Sequence, residues 1–326
     1  MTTLVTGATG HIGVNLVREL LREGRKVRAF VRNGGHCLNG LDVEIVTGDV
    51  RDAEAVRRAA RGAETVFHLA AHISIIKGEA QTVKECNIQG PRNVVGACLA
   101  EGIKKLVHFS SIHALSVLPR NGVVDETRPL THDGEGVPDY DRSKALGEKE
   151  IAAGVEQGLH VVTVNPTGVI GPFDHRPSAM GAVLLNLYHR RVPSLVNGGF
   201  NFVDVRDVVA GALAAEARGR KGERYLLSGH WQSVPALANI VHEVTGKRPP
   251  VFVCPMWLAR SAAPFAEVYA KAVGRPPLFT SAALHALRNH RHISHKKATE
   301  ELGYAPRPTP ETIADTFAWF REAKVI

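Results

Sequence analysis

Tyr140-Asp141-Arg142-Ser143-Lys144 places a phenol and an ammonium at positions i and i+4. On a helix these positions share a face, so both groups would project into one space. A tyrosine keeps its proton near neutrality because its reference pKa is about 10. A neighbouring ammonium stabilises the phenolate and lowers that value, which makes the pair a candidate proton donor and acceptor. The spacing also occurs by chance. It gains weight from Ser110-Ser111, which close an apolar, β-rich run. Open α/β sheets bind ligands at the carboxyl ends of their strands, so Ser111 could hydrogen-bond the same substrate oxygen as Tyr140.

Near the start, Thr6-Gly7-Ala8-Thr9-Gly10-His11-Ile12-Gly13 follows a short apolar run and opens a helical pattern. Gly7 would make the turn, Gly10 would let a pyrophosphate approach the backbone, and Gly13 would let helix and strand pack. A plain glycine-rich turn is the other reading. The next strand ends Phe30-Val31-Arg32-Asn33. It lacks the carboxylate that holds a ribose 2′-hydroxyl in NAD sites. Arg32 can instead pair with a 2′-phosphate, so NADP(H) is the expected cofactor and NAD(H) the alternative. Arg32 as a solvated strand-end charge competes with that reading.

These residues need a frame. Apolar β-rich runs at Thr3–Thr6, Val27–Val31, Val43–Val46, Thr65–Leu69, Leu106–Ser110 and His160–Val164 alternate with helical patterns. That alternation predicts an α/β fold, a Rossmann-type doubly wound parallel sheet with a smaller, mostly helical substrate lobe. Helices are expected over 11–23, from an Asp52 cap to Arg61, over 82–101 and over 140–157. Residues 1–166, completed by about 202–230, read as the nucleotide-binding domain; 167–201 and 231–326 read as the lobe.

The chain has 326 residues, 44% apolar and 22% charged, which fits a globular protein rather than a disordered one. Its net charge of +8 is spread along the chain without a run, so no nucleic-acid partner is expected. Cys37, Cys86, Cys98 and Cys254 form no CxxC pair, which fits a reducing cytoplasm. No segment reads as a signal peptide or an integral membrane span. The stretch 255–274 could dock on a membrane, although a lobe helix over the cleft is the preferred reading. His290, His292 and His295 lie among Arg291, Lys296 and Lys297, which would repel a metal cation, so no metal is expected.

Taken together, TGATGHIG, GDVRD (48–52), FHLAA (67–71), SSIHAL (110–115), YDRSK (140–144), NPTGVIGP (165–172) and FVDVRDV (202–208) resemble extended short-chain dehydrogenases/reductases, the NAD-dependent epimerase/dehydratase family. The resemblance covers essentially the whole chain. It is greatest to the branch of dihydroflavonol 4-reductase-like proteins and hopanoid-associated sugar epimerases, on residues 168–206 and the ELGYAPRP tail (301–308). It implies catalysis by Ser111, Tyr140 and Lys144, with Asn87 completing the proton relay. It also implies cofactor contacts from the glycine turn (Gly7, Thr9, Gly10, His11, Ile12, Gly13), Arg32, Tyr140 and Lys144. Asp49 and Val50 would meet adenine, Leu69, Ala70 and Ala71 would line the groove, and Pro166, Thr167 and Val169 would reach the nicotinamide end. A homodimer through helices 82–101 and 140–157 follows from the same resemblance.

For the substrate side the candidates are His72, His113, Phe173 and Phe200. Phe200 stands where nucleotide-sugar members of the family carry an arginine for the diphosphate. Phe173, Trp257, Phe265 and Tyr269 could wall an apolar pocket, whereas Arg176, Arg190 and Arg191 could take over a phosphate. The expected reaction is hydride transfer to an uncharged, moderately hydrophobic ketone or aldehyde, or from its alcohol. A nucleotide-sugar epimerase or dehydratase is the alternative, and a non-catalytic cofactor sensor the third reading.

Overall fold

The computed structural model describes residues 2–73, 79–120, 122–132, 134, 137–273, 284, 287–288 and 292–326. The first half builds strands β1 (Thr2–Thr6), β2 (Lys26–Val31), β3 (Val43–Thr47), β4 (Thr65–His68), β5 (Lys105–Phe109) and β6 (Val161–Pro166). Between them run helices α1 (His11–Arg22), α2 (Ala53–Ala60), α3 (Ala80–Lys84), α4 (Gly90–Ala100) and α5 (Asp139–Glu156). The expected strands and most helices thus lie within a residue or two of their observed ends. Asp52 caps α2 as its position suggested, accepting from the amides of Glu54 and Ala55.

The second half adds β7 (Gly168–Ile170), α6 (Ala179–Tyr188), β8 (Leu195–Val196), β9 (Gly199–Asp204), α7 (Val205–Arg218), β10 (Arg224–Leu227), β11 (His230–Ser233), α8 (Val234–Thr245), β12 (Val253–Cys254) and α9 (Met256–Val273). The helices α10 (Lys296–Leu302) and α11 (Thr309–Glu322) follow. Strand β10 returns to the main sheet, whose seven parallel strands run in the order β10-β6-β5-β4-β1-β2-β3. The order reverses between β1 and β4, and such a reversal opens a crevice at the strands' carboxyl ends. Three further strands, β11-β9-β7, and the pair β12-β8 belong to the second half.

The main sheet is buried on both faces, as a parallel sheet must be. Val14, Val17 and Leu20 of α1 and Val208 and Ala212 of α7 cover Phe67, Val107 and Phe109. On the other face, Val56 of α2, Val94 of α4 and Ile151 of α5 cover Leu4, Val66 and Leu106. A third core joins Ile170, Leu184, Phe202 and Leu237 to Ile313, Phe317 and Phe320 of α11.

One expected helix is not continuous. Residues 82–101 form α3, a single π turn at Glu85–Gln89, and α4. Pro91 is the cause: it has no N–H to give the carbonyl of Asn87, so the regular ladder opens there. Such bulges recur at functional sites.

Candidate active site

The carboxyl end of β5 gathers the proposed reacting groups. Ser111 caps the short turn that follows β5, its hydroxyl accepting the amide of His113 at 3.2 Å. It also lies near enough to the Tyr140 phenol to favour its ionised form. Lys144 lies one turn along α5 from Tyr140, and its Nζ donates to the carbonyl of Phe109 at 3.0 Å. Behind Ser111, the fully buried Asn165 amide donates to the Ser111 carbonyl at 3.0 Å and to Glu148 at 2.7 Å. Glu148 in turn pairs with Arg224 of β10 at 2.6 Å. Asn165 and Glu148 had escaped the sequence reading, although an asparagine inside the apolar run of β6 was visible.

The electrostatics differ from the sequence expectation. Burial pushes the Tyr140 phenol up to about 12; the Ser111 hydroxyl opposes this and the Asp141 charge adds to it. The Lys144 charge is not among the influences on the phenol, and burial acts on the lysine itself. It brings Lys144 down to about 8, against the opposing pull of Glu148. Beneath Lys144, the buried rings of His68 and His108 lie 5.3 Å apart. Burial and then the Lys144 charge hold His68 down to about 3 and His108 well below its usual range, so both rings are neutral.

Asn87 sits on the π turn and is buried. Its Oδ1 accepts from the His72 amide at 2.8 Å, and its Nδ2 donates to the His72 carbonyl and to Ser143, the neighbour of Lys144. It thereby ties the loop after β4 to α5. The contact is close because α5 carries Gly147 here: a Cβ at that position would stand 2.3 Å from the Asn87 carbonyl oxygen.

The glycine turn forms a cradle at the sheet's reversal point. Gly7 has φ +70° and sits so close to Leu69 and Ala70 that a Cβ would come within 2.7 Å of the Ala70 amide. A Cβ on Gly13 would meet the Gly7 carbonyl at 2.2 Å, whereas above Gly10 the nearest protein atom is 3.4 Å away. Helix α1 has no side-chain cap and no acidic residue in its first turn. Its first-turn amides at His11, Ile12 and Gly13 thus have no capping side chain among the described residues. The His11 ring and Asn15 hold this end of α1 to the Pro172 carbonyl, at 3.1 and 3.0 Å. Thr9 receives the Cys37 thiol on its carbonyl. The groove continues past Thr6, whose hydroxyl accepts the Ala70 amide and contacts His68; Ala71 is exposed beside it.

Asp49 is held by Arg51 through contacts of 2.9 and 3.0 Å. Hydrogen bonding to Arg51 comes first among the causes that keep its carboxyl below the usual range, and the Arg32 charge adds to it. Arg32 itself is exposed and makes no ion pair among the described residues. Val50 is buried, with its carbonyl on Asn93. Pro166 ends β6, Thr167 donates to Asn201 at 2.8 Å, and Val169 packs beside the α1 core.

On the substrate side the residues divide. His113 lies edge-on to Tyr140 with ring centres 5.6 Å apart and stacks on Phe200 at 6.0 Å. Its Nδ1 is 3.1 Å from the buried carboxylate of Asp141, a partner that had escaped the sequence reading. His72 pairs with Glu79 at 2.8 Å. Phe173 does not join this group: it packs under Arg18, 4.2 Å from the ring centre, and against Trp319, because its left-handed backbone turns it toward α1 and α11. Trp257 and Phe265 are exposed, at 70% and 77%, so they wall no pocket; the Tyr269 side chain falls outside the described residues. His290 and Arg291 likewise lie outside them, while His295 hydrogen-bonds Ser228.

Among the described residues no helix is long and apolar enough to cross a membrane. The family described as "NAD dependent epimerase/dehydratase family" matches residues 3–228. "Sterol demethylase protein B" of Methylococcus capsulatus is 37% identical over 100% of both chains. A Synechocystis protein named as a dihydroflavonol 4-reductase is 32% identical over 97% of this chain and 94% of its own. The solved structure of gox2253 is 32% identical, covers 99% of this chain and 98% of its own, and superposes with a TM-score of 0.86.

Proposed function

The chain belongs to the NAD-dependent epimerase/dehydratase family, the extended short-chain dehydrogenases/reductases, and from that premise we propose that it reduces a ketone or aldehyde with NADP(H) and oxidises the alcohol in reverse. The observation that carries this reading is the convergence of Ser111, Tyr140 and Lys144 at the carboxyl end of β5, where Ser111 eases ionisation of the Tyr140 phenol and Lys144 lies one helical turn away on the Phe109 carbonyl. Ser111 and Tyr140 offer two hydroxyls to one substrate oxygen, and Tyr140 passes the proton. Lys144 supplies positive charge beside the phenol, and Asn87 holds the loop and helix that frame them.

The cradle at Gly7, Gly10 and Gly13 suits a dinucleotide pyrophosphate on the uncapped first-turn amides of α1. Arg32, exposed and without an ion pair among the described residues, suits a 2′-phosphate at the adenosine end. The nicotinamide, when bound, supplies or accepts the hydride. Phe200, stacked on His113 beside Tyr140, gives the substrate side an apolar wall where a diphosphate would need a cation. The reductase name of the Synechocystis relative supports the same reading.

The test is a panel of ketones, aldehydes and nucleotide sugars, followed by nicotinamide absorbance with NADPH and with NADH. Net oxidation of NADPH by an apolar carbonyl compound is the expected result. A nucleotide sugar converted without net cofactor turnover would replace this reading by an epimerase.

A further inference from the structure

Large apolar side chains stand in solvent along one short stretch of the lobe. Val251 is 100% exposed, Phe252 59% and Leu258 40%, in company with Trp257 and Phe265. Single exposed apolar residues are ordinary, whereas a contiguous group marks an interaction surface. The packing of α9 explains why they point outward. Met256, Ala259 and Ala263 lie on one side of that helix and pack on Val196, Leu284 and Leu287. Trp257, Ser261 and Phe265, spaced i, i+4 and i+8, fall on the opposite side. Ser261 donates its hydroxyl to the Trp257 carbonyl at 3.1 Å, so this side keeps its apolar character. The charge beside the face is mostly of one sign. Segments 186–198 and 244–266, joined where Leu195 of β8 pairs with Val253 of β12, contain no Asp or Glu. They carry Arg190, Arg191, Lys247, Arg248 and Arg260, against Glu243 and Glu267 at the borders of the second segment. All five cations are exposed, and none forms an ion pair among the described residues. Lys247 lies 5.2 Å from the Tyr188 ring centre, which brings it to the end of α6 where Arg190 and Arg191 follow.

An occupant of this face must be apolar where Trp257 and Phe265 enter it and anionic where the arginines meet it. A second copy of this chain, related by a two-fold axis, would set the patch against itself, cation against cation. A bilayer of anionic lipid meets both demands, because its interface takes up aromatic side chains and its headgroups attract Lys and Arg. We propose that the outward side of α9, together with β12, docks on the surface of an anionic phospholipid bilayer. Trp257 and Phe265 enter the interface, and Arg190, Arg191, Lys247 and Arg248 meet the headgroup phosphates. The helix lies on the bilayer without spanning it, since its other side is packed on the lobe. This replaces the helix over a cleft expected for 255–274. It does not depend on the carbonyl reductase reading, because an epimerase could dock in the same way.

The test sediments the full-length protein with vesicles of phosphatidylcholine alone and of equal parts phosphatidylcholine and phosphatidylglycerol. The wild type should partition about tenfold or more into the anionic vesicles, less so as salt is raised. Trp257→Ser combined with Phe265→Ser should cut that binding by about tenfold or more, the effect of keeping two large apolar groups in water. Arg190→Ser combined with Arg191→Ser should remove most of the preference for anionic lipid. All four side chains are exposed, so both double variants should melt with the wild type. Tryptophan emission gives a second reading: brominated lipid should quench the wild type, and Trp257→Phe should sediment normally while losing that quenching. A wild type left in the supernatant with anionic vesicles would overturn the proposal. So would a serine double variant that binds as well as the wild type, or quenching that survives Trp257→Phe. A wild-type dimer that becomes a monomer in the Trp257 and Phe265 double variant, with no vesicle binding by either, would assign the face to a second copy instead.

Discussion

A phenol held near 12 keeps its proton throughout the physiological range, so Tyr140 enters the proposed reaction as a donor. Tyr140→Phe removes that proton and leaves the ring. Carbonyl reduction should fall by about a hundred- to ten-thousandfold, while NADPH affinity, read by fluorescence titration, changes by no more than about threefold. A variant retaining a tenth or so of the wild-type rate would clear Tyr140 of the role. Lys144 gives a separate test through stability. Its folded value of about 8 lies below the ordinary 10.5, so between these values the unfolded chain binds the extra proton. The contribution of this group to stability therefore rises as pH goes from about 8 toward 10.5. Urea midpoints at pH 8 and pH 10 should show the wild type gaining on Lys144→Met, and parallel behaviour of the two would contradict a buried, depressed lysine. At the cofactor's other end, Arg32→Asp removes a phosphate partner and adds a repelling charge. The ratio of NADPH to NADH affinity should drop tens- to hundredfold, as a charge-assisted contact of about 1.5–3 kcal/mol implies.

The helix that carries Tyr140 and Lys144 is set in place by a helix that breaks. Pro91 opens the π turn, the freed Asn87 carbonyl comes up against Gly147, and the Asn87 side chain reaches Ser143. Gly147→Ala discriminates sharply, because its sign is unusual. In an exposed helix the change would stabilise by about 1 kcal/mol. Here the added methyl would stand 2.3 Å from a backbone oxygen, so α5 must shift. A loss of about 1–3 kcal/mol is expected, with lower activity from a displaced Lys144. Thermal melts checked against turnover measure both. A raised melting temperature with full activity would show that α5 tolerates the displacement.

Across the whole molecule, the C-terminal segment is fastened to the sheet by charge. Arg307, ahead of α11, donates its amide and its guanidinium to the buried Asp207 of α7 at 2.8 and 2.9 Å. Arg206 joins Asp204 to Asp315 of α11 at 2.7 Å on each side. The buried carboxylate has its guanidinium partner only when the two parts are docked. Asp207→Asn should therefore cost about 2 kcal/mol, less than a fully buried pair because Arg307 is partly exposed. It should also lower the melting temperature by several degrees without changing NADPH affinity. Calorimetric melting with a parallel cofactor titration checks this, and an unchanged melt would mean that the apolar core around Phe317 and Phe320 alone holds the segment.

What the amino-acid order determined by itself was whatever depends on neighbours along the chain. The strand and helix periods, the Asp52 cap, the glycine turn and the Tyr140–Lys144 spacing all act within a few residues, so they were legible directly. Pro91 was equally local, and its effect on the helix over 82–101 could have been read from its missing N–H. The tertiary structure decided the rest, because those properties belong to pairs far apart in sequence. Burial, and not the lysine, set the Tyr140 phenol, and burial is a property of packed layers. Asp141 turned out to face His113, and Asn165 to hold Ser111, across turns and strands that only the closed sheet brings together. Phe173 went to α1 and α11 and Phe200 to the reacting groups, although both are single phenylalanines in loop-rich or short-strand sequence. Direction in space separates them, and composition carries no information about direction.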